Sequence, residues 1–203
     1  MPRARTPEER ERVGDRLLTA GRELFERQGL AKVTIADLAR SAGIGKGSFY
    51  QFHASKEELF LAIHEHEEER YRAALVAELE TAASGREALV TLLGSIASRL
   101  RAHPFLRLLL DPQTLLALSV AIPPERFETH RKADEAFFMG LARKWKRRGW
   151  LRNDVAPQRF VDVLTALFVM STQEHLVGEE TLTRAAREIA EAVADRWTRT
   201  PEP

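Results

Sequence analysis

The sequence predicts an all-α fold in two parts, and three observations carry the prediction. Apolar residues recur at helical spacing along most of the 203 residues, no segment alternates polar and apolar residues as a half-buried strand would, and Pro and Gly punctuate the periodic stretches. A chain of this length is large enough for a substantial hydrophobic core. With 31 Lys and Arg against 30 Asp and Glu the net charge is +1, so the chain as a whole is no polycation. Cysteine is absent, which excludes a disulfide framework, a thiolate metal site and a cysteine nucleophile. The charged first ten residues lead into no apolar segment, and the most apolar stretch, 105–122, is interrupted by Arg107, Asp111, Pro112 and Gln113. Neither a secretion signal nor a membrane span is therefore expected, and a cytoplasmic location is.

Val13, Leu17, Ala20, Leu24 and Phe25 form the buried stripe of a first amphipathic helix that Gly29 closes. In the second helix Ile35, Leu38, Ala39 and Ala42 fall at i, i+3, i+4 and i+7. Thr34 stands before that stripe as its N-cap, and Asp37 three residues on supplies the acidic half of a capping box. Gly43 follows the last apolar position, where a positive φ ends a helix without a Cβ penalty. Ile44 and Phe49 then anchor a third helix and leave Lys46, Gly47, Ser48, Tyr50 and Gln51 facing outward. Two short helices meeting at a glycine make a helix-turn-helix, although the same spacings also fit a plain hairpin in a helical bundle. The outward residue types suit duplex DNA. A lysine and a tyrosine hydroxyl bind phosphate oxygens, a serine serves phosphate or base, and a glutamine pairs bidentately with adenine in the major groove.

Local charge favours the first of these readings. From Arg27 to Lys56 the basic residues are Arg27, Lys32, Arg40, Lys46 and Lys56, with Asp37 the one acid, whereas Glu57, Glu58, Glu65, Glu67, Glu68 and Glu69 make the next stretch acidic. Such an asymmetry places a polyanion-facing surface in the N-terminal segment.

The run from Thr34 to Lys56, followed by Glu57-Glu58-Leu59, resembles the DNA-binding domain of TetR-family transcriptional repressors. It is similar to that family's Thr/Ser-Ile/Val-x-x-Ile/Leu-Ala helix, its Ala-Gly-Val/Ile turn, its Lys-Gly-Thr/Ser-Phe/Leu-Tyr recognition helix and its Ser-Lys-Glu start of a fourth helix. Close matching spans Leu17 to Leu59. The resemblance implies that Thr34, Tyr50 and Lys56 hold phosphates, that Lys46, Ser48 and Gln51 approach base edges, and that Gly47 lets the DNA backbone come close. Two residues depart from the pattern. Gly45 stands where the family usually has a Ser or Thr cap, and His53 where it usually has a core Phe, so Phe52 is expected to take over that packing contact. Residues 1–9 read as a mobile arm, and Arg3 and Arg5 are of the type that enters a minor groove.

Ser55, with Glu58 completing a capping box, opens a long fourth helix that runs toward Ala83 and joins a DNA-binding domain (1–55) to an effector-binding and dimerisation domain (56–203). Further helices are expected near 86–102, as a broken pair across 104–121, and at 124–148, 157–177 and 180–198. The last two are the expected homodimer interface. Apolar residues from Phe160 to Met170 exceed one core-facing stripe, and Ala185, Ala186, Ala190 and Ala194 are small enough for close helix approach, although both helices also fit a monomer core. A two-fold dimer would set its recognition helices roughly 34 to 36 Å apart on a near-palindrome.

Between linker and dimer helices a small apolar effector is expected, lined by Phe105, Leu109, Leu116, Phe127, Phe137 and Phe168 with His130, Asp134 and Gln173 as polar contacts. Phe138 and His175 are further candidates, and ordinary core packing competes for every aromatic. His130 and Asp134, at i and i+4, read as a surface ion pair in preference to ligand contacts. In His64-Glu65-His66 the histidines point apart and Glu68 replaces the second His of a zincin motif, so no metal is expected. The cluster Arg143, Lys144, Lys146, Arg147 and Arg148 reads as complementing the negative end of a helix that Gly149 closes. There is no Gly-rich phosphate loop, no nucleophile elbow and no acid-base constellation, so neither a cofactor nor an enzyme is expected. The expectation is a repressor released from its palindromic operator by a small molecule, with a constitutive DNA-binding regulator as the alternative.

Overall fold

The computed structural model describes residues 6–198, and no strand occurs among them. Eleven α-helices and one 3₁₀ segment follow one another in those residues. They fall into two compact units, one built from Met1–Glu69 with Pro104–Pro124, the other from Arg70–His103 with Glu125–Pro203. The sequence-based division at residue 55 is thus drawn differently. The start of the fourth helix and the segment from Pro104 join the first unit because their apolar side chains are buried there.

In the first unit, α1 (Pro7–Lys32) opens on a complete capping box between Thr6 and Glu9 and has its helical run broken at Gly29, φ 77°. Residues 7–9 are therefore helical rather than part of an arm, while Arg3 and Arg5 lie outside the described residues. α2 (Ile35–Ser41) and α3 (Lys46–Phe49) form the helix-turn-helix. α4 (Lys56–Glu80) follows and contributes residues to both units. The core of the first unit is Leu17, Phe25, Leu30, Leu38, Phe49, Leu59, Phe60 and Phe105, all essentially without solvent contact. The ring of Phe60 lies 5.3 Å from that of Phe25 and 4.8 Å from that of Phe105, which ties Pro104–Pro124 to α1 and α4. α1 and α4 cross closely at Gly21, where a Cβ would come within 2.7 Å of Ile63 Cδ1. The rest of this segment is a 3₁₀ turn (Leu106–Leu110) and a helix, Pro112–Ala121, capped by Asp111.

The second unit holds α5 (Gly85–Gly94), α6 (Ile96–Ala102), α8 (Pro124–Arg147), α9 (Pro157–Ser171), α10 (Glu174–Val177) and α11 (Glu179–Trp197), with α7 the Pro112–Ala121 helix of the first unit. Its core centres on Trp145, Phe160, Leu79, Leu89, Ala142, Ala190 and Ala194. The buried alanines of α11 do allow close approach, and within one chain they meet α5: a Cβ at Gly94 would sit 3.6 Å from that of Ala190. Gly85 is tighter, since a Cβ there would lie 2.4 Å from the carbonyl oxygen of Trp150. Two expected helices are interrupted. Ser95 separates α5 from α6, its hydroxyl donating back to the Thr91 carbonyl, and Ser171 and Thr172 bond the Phe168 and Val169 carbonyls where α9 ends. No described helix is long and apolar enough to cross a membrane.

Candidate nucleic-acid interface

The helix-turn-helix is fixed by local chemistry at each end. Thr34 Oγ1 accepts the Asp37 N–H at 3.2 Å and donates to Asp37 Oδ2 at 2.6 Å, while the Thr34 N–H reaches the same carboxylate at 3.3 Å. These bonds, the Thr34 hydroxyl foremost, hold the Asp37 carboxyl below the usual carboxylate range, against the smaller opposing effect of desolvation. The capping box predicted from sequence is complete. Gly43 takes φ 68° after the helix ends, the turn for which a glycine was expected. Gly45 caps α3 without a side-chain bond.

From this base α3 presents its outer face. Phe49 is fully buried beneath it, whereas Lys46, Gly47 and Gln51 are exposed, Tyr50 is 53% exposed and Ser48 is half-buried. A Cβ at Gly47 would meet nothing within 4 Å. After Phe49 the chain tightens, with the Gln51 N–H bonding the Ser48 carbonyl at 3.2 Å and the Phe52 N–H bonding that of Phe49 at 2.9 Å. The packing contact expected of Phe52 is made by His53, whose ring lies 6.0 Å from that of Phe49. Phe52 instead lies under the Arg10 guanidinium, 5.5 Å from the ring centroid. Burial lowers the His53 pKa, because the imidazolium would lose hydration there.

Two residues of the expected DNA-contact set have their donors engaged inside the fold: Thr34, whose hydroxyl and N–H both go to Asp37, and Lys56. The Lys56 ammonium donates to the carbonyls of Leu30 at 2.7 Å, Val33 at 2.9 Å and Ala31 at 3.2 Å, closing the C-terminal end of α1. An ammonium has three donors, so none is left over for a phosphate. Sequence alone gave no sign of this, because the carbonyls belong to a segment more than twenty residues away.

The expected effector residues divide between the two units. Phe105 and Leu109 are buried in the first, where Leu116 is 65% exposed. In the second, Phe127 is 37% exposed, Phe168 half-buried, and Gln173 and His175 exposed. His130 and Asp134 are not the exposed pair expected from their spacing. His130 Nε2 lies 3.6 Å from Asp134 Oδ2 with its side chain 12% exposed, and Asp134 also accepts from Arg72 at 2.7 Å. The Arg72 guanidinium is stacked 4.8 Å from the Phe137 ring and 5.7 Å from that of Phe138. Further along α8, Lys144 pairs with Glu80, Lys146 donates to the carbonyls of Asn153 and Val155, and Arg148 covers Trp150. Three of the five basic residues expected at the helix end thus serve neighbouring loops and helices. In the first unit His64 is buried, 3.5 Å from Glu68, and His66 is exposed, as two residues two apart on a helix should be.

Residues 17–63 match the family model described as bacterial regulatory proteins, tetR family. No curated protein matches the sequence. Among solved structures, a TetR-family transcriptional regulator from Pectobacterium atrosepticum is similar with a TM-score of 0.65 and 19% identity over 95% of each chain. The fatty acid degradation regulator FadR from Bacillus halodurans is similar with a TM-score of 0.60 and 15% identity, covering 95% of this chain and 96% of that one. FadR from Bacillus subtilis, solved in complex with stearoyl-CoA, is similar with a TM-score of 0.60 and 12% identity over 89% of this chain and 97% of that one. Residues 17–63 thus match the N-terminal helix-turn-helix domain of the tetR family of bacterial regulatory proteins, and the solved neighbours share the fold of the chain.

Proposed function

We propose that the protein is a homodimeric repressor that leaves a near-palindromic operator when a small, largely apolar effector binds its second unit. The observation that carries this reading is the face of α3, where Lys46, Gly47, Tyr50 and Gln51 are exposed on a helix whose other side is buried through Phe49. Tyr50 is the residue we assign to a phosphate, with Lys46, Ser48 and Gln51 at base edges and Gly47 at the closest approach of the backbones.

The partner-facing surface is narrower than the whole of the last helices. α11 uses Leu182, Ala186, Ala190, Ala194 and Trp197 within its own chain. Val169, Leu176 and Val177 remain exposed, a concentration of apolar side chains suited to a self-complementary contact. For the effector, the supporting features are the Phe127, His130, Asp134 and Phe137 group on α8 and the stearoyl-CoA bound to the Bacillus subtilis neighbour. Release requires an effector that binds the DNA-free state better. Moving the balance from nearly all to nearly none takes about 5.5 kcal/mol of differential affinity.

The test is an operator duplex, recovered by selection from random DNA, titrated with stearoyl-CoA, free stearate and a fractionated metabolite extract. Dissociation of the complex by one of these supports a ligand-released repressor. A complex indifferent to all of them is that of a constitutive binder.

A further inference from the structure

Two cations of α1, Arg10 and Arg16, share a common task in the structure. Arg16 Nε donates to the carbonyl of Ala42, the residue that caps the C-terminus of α2, at 3.0 Å. Six residues earlier, Arg10 Nη2 donates to the carbonyl of Gln51 at 3.0 Å, across forty-one positions of sequence, while its guanidinium covers the Phe52 ring. Each arginine therefore sits at the C-terminal end of one helix of the pair, where carbonyls lack partners and a cation is favourable. Arg10 is the more consequential of the two. The carbonyl it holds is that of the residue proposed to read a base, and the adjoining ring it covers belongs to the next residue.

We infer that Arg10 is a positioning residue for DNA reading: it fixes the backbone at Gln51 and Phe52 and so sets the depth and direction from which the Gln51 amide meets a base edge. Bidentate pairing tolerates little displacement, because both hydrogen bonds must be near-linear at once. The peptide between Gln51 and Phe52 is held on its N–H side by the 2.9 Å bond to the Phe49 carbonyl, and Arg10 holds its carbonyl side beyond the end of the helix proper at Phe49. Arg10 is itself exposed, so its removal opens no cavity in the core. The inference rests on the assignment of Gln51 to a base edge.

The experiment compares wild-type, Arg10→Ala, Arg10→Lys, Gln51→Ala and the Arg10→Ala/Gln51→Ala double variant of the full chain, on the selected duplex and on duplexes substituted at each position in turn. Affinity is measured as a function of salt. Positioning predicts that Arg10→Ala flattens discrimination at the same base pair as Gln51→Ala, by about tenfold, the scale of one bidentate contact. It also predicts an unchanged salt slope, a double variant no worse than Gln51→Ala, and partial recovery in Arg10→Lys, whose ammonium can still reach the carbonyl. Retained discrimination in Arg10→Ala, or a salt slope lowered by about one phosphate contact, overturns the inference and leaves the Gln51 assignment standing. Unaltered discrimination in Gln51→Ala overturns that assignment and the inference with it.

Discussion

Replacing Lys56 by Met separates a clamp inside the fold from a hand on the DNA. The substitution keeps the apolar stem and deletes an ammonium that donates to three carbonyls, two of them part-buried beside Leu30 and Val33, which are themselves 2% and 1% exposed. A hydrogen bond to a charged group contributes roughly 1.5 to 3 kcal/mol, and an acceptor left unpaired out of water costs a similar amount. Lys56 is half-buried, so water takes over part of the loss, chiefly at Ala31, and about 2 to 3 kcal/mol remains. For a domain of this size each kcal/mol lowers Tm by about 4 to 8 °C, so a fall of about 10 to 20 °C is expected in the first unit. Thermal denaturation of the full chain reads it directly. Salt titration of operator binding supplies the second reading, and at a temperature where the variant is folded its slope should equal that of wild type. An unshifted Tm together with a slope lowered by about one would refute the clamp and return Lys56 to a phosphate.

Gly47→Ala adds a methyl to open space within a helix, so stability should hold or rise by up to about 1 kcal/mol while DNA affinity falls at least several-fold; equal affinity would show that no backbone approaches there. His53 has a folded pKa below its ordinary 6.5, so the unfolded chain binds the proton more readily and stability declines as pH falls below 6.5. His53→Phe should remove that component, and melts at pH 7.5 and 5.5 should differ less than in wild type. Gly85→Ala drives a methyl into the Trp150 backbone and should lower stability by about 1 to 3 kcal/mol, measured by urea unfolding. Val169→Asp, at a position already 53% exposed, should leave Tm of the isolated chain nearly unchanged and shift sedimentation toward the monomer, whereas an unaltered mass would move the interface elsewhere.

The helix-turn-helix was legible because its determinants are local. The Thr34–Asp37 box, the positive φ at Gly43 and the apolar spacing from Ile35 to Ala42 each act within a few residues. Helix breaks at Ser95 and Ser171–Thr172 leave no mark on the hydrophobic spacing, because a hydroxyl that turns back on a carbonyl competes with the helix without disturbing that spacing. Long-range packing was the larger gap. Phe105 and Leu116 looked alike as wall residues, yet Phe105 is fully buried against Phe60 and Leu116 is largely exposed, a difference set by partners distant in sequence. The same holds for Lys56, whose motif suggests a phosphate and whose contacts are three carbonyls, and for the alanines of α11, whose small size serves α5.

The most direct measurement is the binding of random duplex DNA at low ionic strength by the full chain and by a Lys46→Ala/Tyr50→Ala/Gln51→Ala variant that keeps the buried Phe49 anchor. The wild type should enrich a near-palindrome whose half-sites lie about 10 base pairs apart, and the variant, folded to the same Tm, should enrich nothing. Indifference of the wild type to every duplex, or equal enrichment by the variant, would contradict the assignment of DNA reading to the face of α3.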